Sequence, residues 1–144
     1  MPSYKEVVAA SVDKLKPGGA IIISFRTQYF NLLYHLRQRN WDSLRICKSR
    51  NEGRIFNSEI LFSWHTPEQA SNLLRENGYE PLRSIGIGCF SGLNDDPLAH
   101  FARPSNLAVE EQDRLLELEY ELGEEYANCS RYVLFFAKKP KVGT

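Results

Sequence analysis

Six residues, Ala20-Ile21-Ile22-Ile23-Ser24-Phe25, constrain this chain more than any other segment. All but Ser24 are apolar, and three consecutive isoleucines favour extended backbone. A strand with one wet face alternates apolar and polar residues, and this run does not, so it predicts a central strand covered on both faces. Pro17-Gly18-Gly19 just before it stops a helix and turns the chain.

That preceding helix is well marked. Ser3 and Glu6 have capping-box spacing, and Tyr4, Val7, Val8, Ser11, Val12 and Leu15 recur at helical intervals. After the strand, Tyr29, Leu32, Leu33 and Leu36 predict a second helix over 28–38, with Thr27 as its cap. Polar residues dominate 39–53, which predicts an exposed insertion, and 55–64 returns as an extended segment. Thr66 and Gln69, again at capping-box spacing, with Pro67 in the first turn, Ala70, Leu73 and Leu74 as a stripe and Gly78 as a stop, define the next helix.

In the strand 82–89, Arg83, Ile85, Ile87 and Cys89 alternate with Ser84, Gly86 and Gly88, so something must approach its glycine face closely. A loop over 90–106 leads to an acidic helix over 107–126, with Leu115, Leu118, Leu122 and Tyr126 facing inward, and a last strand runs from Tyr132 to Ala137. This order of elements predicts one α/β domain over 1–144.

Composition excludes several classes. With 42% hydrophobic and 25% charged residues, 144 residues can bury a core without disulfides. No apolar run approaches the roughly 18 residues of a membrane span. The N-terminal residues lack a signal-peptide pattern, so the expected location is cytoplasmic. Cys47, Cys89 and Cys129 are too widely spaced for a metal cage and read as reduced thiols. Asn128-Cys129-Ser130 matches a glycosylation sequon by letters only. Residues 1–54 carry 10 basic and 4 acidic side chains and residues 55–144 carry 8 and 14, which together make the 18 of each sign. No dense basic run with interleaved aromatics points to nucleic acid.

Three segments carry a family resemblance. Leu15-Lys16-Pro17-Gly18-Gly19 leading into Ala20–Phe25 resembles the segment before the fifth strand of class I S-adenosylmethionine-dependent methyltransferases. His65-Thr66-Pro67-Glu68-Gln69, Leu73-Leu74 and Asn77-Gly78-Tyr79 resemble the stretch that leads into the sixth strand. Arg131 to Lys139 resembles the seventh, which forms an antiparallel hairpin with the sixth. The resemblance implies a partial Rossmann-like sheet made of the last three strands, with flanking helices and insertions at about 27–65 and 90–128. It implies S-adenosylmethionine as cofactor, yet the family's glycine-rich turn and acidic residue precede the matched region, so no cofactor-binding residue falls in this chain. Gly86-Ile87-Gly88 lies within a predicted strand and is set aside as that turn.

Such enzymes act chiefly by holding the acceptor atom against the donor methyl. His65 is the candidate general base, because an imidazole near its ordinary pKa suits proton removal at neutral pH. Arg26, at the carboxyl end of the central strand, together with Tyr29, Tyr34 and Trp64 from the insertion, are the candidate substrate-binding residues. His35 and His100 are expected on the surface. Phe90 to Phe101, with Asn94, Asp95 and Asp96, forms a candidate second lid, and the aspartate pair lacks a third ligand, so no metal is expected.

The expected function is the substrate-side part of a methyltransferase acting on a small-molecule acceptor, with the cofactor half supplied by the same gene or another chain. An apolar strand with few neighbours leaves an edge open, so the chain either belongs to a longer or split enzyme or completes its sheet with another chain, a homodimer included. The alternative is a non-catalytic α/β interaction module that pairs with a partner, its acidic helix being a candidate surface.

Overall fold

The computed structural model describes residues 3–54, 59–92 and 102–141. Helix α1 (Tyr4–Lys14) begins at the full Ser3/Glu6 capping box and buries Val8. After the turn comes β1 (Ala20–Arg26), then α2 (Gln28–Arg37), α3 (Trp41–Ser49), β2 (Glu52–Arg54), β3 (Leu61–Ser63), α4 (Pro67–Glu76), β4 (Glu80–Ile87), α5 (Val109–Leu122) and β5 (Tyr132–Lys138). The described residues are thus mixed α/β, with a three-stranded sheet in the order β1-β5-β4 and a two-stranded sheet of β2 and β3.

Strand β5 is central and antiparallel to both neighbours, from Ala20 opposite Lys138 to Arg26 opposite Tyr132 on one side, and from Glu80 opposite Lys138 to Ile87 opposite Tyr132 on the other. The last two strands therefore pair antiparallel, as expected. Strand β1 does not lie where its composition predicts. Among the described residues it takes an edge, and only one face is covered: Phe25 is buried and Ile21 and Ile23 are half-buried, whereas Ile22 is 66% exposed. The reason is that the helices supplying cover, α1 and α4, pack on the same face. Val8, Ala70, Leu73 and Leu74 meet Phe25, Val133, Phe135 and Ala137 there, with Tyr79 and Ala127 closing the core.

Local signals explain how these helices are held. The Thr66 hydroxyl caps α4 and Gln69 returns the bond, Pro67 opens the helix, and Gly78 closes it at φ +82°. At the other end of the sheet, Lys139 Nζ donates to the carbonyls of Val12 and Leu15 at 2.9 and 3.0 Å, tying the C-terminus of α1 to the end of β5. The glycine face of β4 is approached as expected: a Cβ on Gly86 would lie 2.7 Å from Cys89 Sγ and 2.9 Å from Ala127 Cα.

Other expectations are corrected. The polar stretch predicted as an exposed insertion is largely exposed, but it contains an unforeseen helix, α3, capped by Asn40 and anchored by buried Cys47. Helix α2 is rotated relative to its predicted stripe, burying Phe30, Asn31 and His35 while Tyr29 and Leu36 are exposed. Val7 is exposed in α1. Helix α5 buries no residue, and Leu118 and Tyr126 are exposed although both were expected to face inward. The second lid, with Asn94, Asp95, Asp96 and His100, lies mostly outside the described residues.

Candidate functional site

At the carboxyl end of β1 the chain turns into α2, and the turn is fixed from both sides. The Thr27 hydroxyl donates to the Ser130 carbonyl and accepts from Phe30 N–H, capping the helix. On the outer side, His65 N–H donates to the Arg26 carbonyl at 2.9 Å and Gln28 N–H donates to the His65 carbonyl at 3.0 Å, a short parallel bridge. Arg26 and His65, far apart in sequence, therefore meet through their backbones.

The Arg26 side chain lies in an aromatic setting. Its Nη2 donates to Tyr132 Oη at 3.1 Å, and its guanidinium carbon lies 5.3 Å from the Tyr132 ring, 5.5 Å from Phe30 and 5.6 Å from Phe62. Arg131 shares two of these rings, 4.8 Å from Phe30 and 5.8 Å from Tyr132. Four elements thus converge on one cationic, aromatic-walled corner. Its chemistry suits a planar or partly anionic group, which can stack on a ring while accepting from a guanidinium.

His65 faces the other way. It is 3% exposed, its ring set edge-on between Tyr4 at 4.8 Å and Phe25 at 5.3 Å, and neither ring nitrogen has a hydrogen-bond partner among the described residues. Burial, with a smaller contribution from Lys5, pushes its pKa down to about 4. An imidazole so held is neutral at pH 7 and a weak base.

Trp64 is fully buried, and its indole N–H donates to the carbonyls of Cys47 and Arg50 at 3.1 and 2.7 Å. The ring rests against Gly53, where a Cβ would lie 2.7 Å from it, so Trp64 locks β2 to α3. Of the remaining candidates, Tyr29 is exposed on α2, and Tyr34 sets its ring against His35, 5.4 Å away. His35, expected on the surface, is buried, and burial lowers its pKa.

Known protein families and curated proteins give no match to this chain. The corner itself is therefore what bears on function.

Of the residues that meet at this corner, sequence reasoning named Arg26 and did not name Phe30, Phe62, Arg131 or Tyr132. The available signal was the pairing of the first and last strands, which sets Tyr132 opposite Arg26. Among the described residues no group of three His, Cys, Asp or Glu side chains gathers as a metal site, and no helix is long and apolar enough to cross a membrane.

Proposed function

We infer that this chain is the substrate-side part of a class I S-adenosylmethionine-dependent methyltransferase, with Arg26 at the acceptor-binding corner. One observation supports the reading above the rest. The three segments that resemble the family fall at the turn from α1 into β1, at the start of α4 leading to β4, and on β5, and the last two strands pair antiparallel as in that family. The antiparallel pairing is compatible with a Rossmann-like sheet continued by other strands.

The roles of the residues follow from their surroundings. Arg26 and Arg131 bring positive charge to the corner, and Phe30, Phe62 and Tyr132 wall it, so it is the place where this reading puts a small-molecule acceptor. Rate would come from holding the acceptor atom in line with the methyl donor. His65, buried and weakly basic, fixes the end of β1 rather than taking a proton. Trp64 acts beside it as a structural anchor. S-adenosylmethionine would be held by a glycine-rich strand-turn-helix outside these residues.

A non-catalytic interaction module is the second reading, favoured by the uncovered face of β1. Calorimetric titration with S-adenosylhomocysteine tests the first. The chain alone should give no heat, and addition of a polypeptide carrying the cofactor half should restore binding and methyl transfer. Micromolar binding by the chain alone refutes the division of labour, and a joined protein that binds no cofactor refutes the methyltransferase reading.

A further inference from the structure

The two margins of the three-stranded sheet differ. On the β4 margin, Pro81 lies in the strand, the register shifts between Pro81 and Arg83, and Gly86 N–H donates to the Gly123 carbonyl at 2.7 Å. Proline, an irregular register and a covering segment all discourage a further strand. The β1 margin has none of these between Ala20 and Phe25, and no charged side chain either.

The direction of the free backbone groups follows from the bonds at the end of β1. Thr27 N–H points to β5, donating to the Arg131 carbonyl, whereas the Arg26 carbonyl points outward to His65. Alternation along a strand then directs the N–H and C=O of Ala20, Ile22 and Ser24 outward with Arg26. These residues are all exposed, and Ile22 lies opposite Phe136, itself 43% exposed.

We propose that β1 pairs antiparallel with β1 of a second copy of this chain, about a two-fold axis at Ile22. The outward groups are symmetric about that residue, so Ala20 meets Ser24 of the other copy and Ile22 meets Ile22, and every outward N–H and C=O from Ala20 to Ser24 finds a partner. The paired stretch ends before Arg26, whose carbonyl His65 already occupies. No like charges come opposite one another in the paired stretch. On the uncovered face, Phe136 and Ile22 of each copy line up as one apolar row of four side chains across a six-stranded sheet. The interface is isologous, as expected of a closed dimer. It uses neither the Arg26 corner nor a cofactor, but it takes the sheet margin at which the methyltransferase reading adds further strands, so a cofactor half that binds there would displace the second copy.

The test is sedimentation equilibrium of the intact chain from about 1 μM to about 100 μM, a range that spans the affinity of a small interface, together with hydrogen exchange at both ends of the range. The expected result is a doubling of mass, with protection of the Ala20, Ile22 and Ser24 amides appearing only at high concentration. Ile22→Pro removes an N–H that points away from β5 and has no partner among the described residues, and should abolish the doubling. Should that variant fold poorly, Ile22→Lys puts two ammonium groups across the axis at an exposed position, and should weaken association by about two- to fivefold. A chain that stays monomeric throughout overturns the proposal and assigns the margin to a strand of another polypeptide. A dimer in which these three amides exchange freely, or one that survives both substitutions, overturns it equally.

Discussion

Lowering the pH from 7 should weaken the fold through His65 in particular. Its conjugate acid has a pKa of about 4 in the folded chain against the ordinary 6.5, chiefly because burial between Tyr4 and Phe25 disfavours the charge. The unfolded chain therefore binds a proton between these two values that the folded chain refuses. Stability from this source is full above about pH 6.5 and falls as the pH drops toward 4. At 1.36 kcal/mol per tenfold, the whole window amounts to about 3 kcal/mol, or a shift of about 1–3 M in the urea midpoint for a chain of this size. The carboxylates and His35 also respond to acid, so the informative quantity is the difference between the parent and His65→Phe. Neither ring nitrogen is hydrogen-bonded among the described residues, so the phenyl ring should cost little at pH 7 and should remove about one proton's worth of acid sensitivity. Urea titrations followed by the fluorescence of buried Trp64, at half-unit steps from pH 7 to 4.5, measure both proteins. Parallel midpoint profiles would refute the argument, because they would mean that His65 charges without unfolding anything.

Two further outcomes follow from close packing and burial. Gly86→Ala should destabilise the chain by about 1–3 kcal/mol, because the added carbon would lie within 2.9 Å of Cys89, Ser130 and Ala127. An unchanged urea midpoint would show that the underside of β4 has room to spare. Of the three thiols, burial pushes Cys47 up to about 12 and Cys89, helped by the nearby Glu119 carboxylate, up to about 11, while Cys129 is exposed. A thiol-reactive disulfide reagent at pH 8 should therefore label Cys129 first and leave Cys47 unmodified until urea is added. Rapid labelling of Cys47 in the native chain would show that α3 opens readily.

Helix α4 was legible because each of its signals is local: a cap and its partner three residues apart, a proline in the first turn, a glycine at the end. Helix α3 was hidden because Arg45, Lys48 and Arg50 outweigh Leu44 and Cys47 in any count of polarity, although only the latter pair face inward. The face that α2 buries depends on how Thr27 is pinned to Ser130, which lies just before β5 and more than 100 residues away, and no periodicity can report this. The same holds for β1. Its composition predicts a central strand covered on both sides, but whether cover arrives is decided by where α1 and α4 pack. At the candidate site, Arg26 could be read from its place after a strand. Its aromatic walls could not, because Phe30, Phe62 and Tyr132 become neighbours only through tertiary pairing.

The contact between Gly86 and Gly123 bears on solubility. A sheet with two open margins can recruit a copy at each, and the chain of copies then has no natural end. Here Pro81, the register shift beside it and the bond from Gly86 to Gly123 discourage addition at one margin, so among the described residues each molecule has one margin open to a further strand. Growth by strand addition stops after one event, and the concentrated protein should reach a finite particle instead of a filament. Opening the contact at Gly123 would leave Pro81 and the irregular register to guard that margin, so the limit on growth has more than one safeguard.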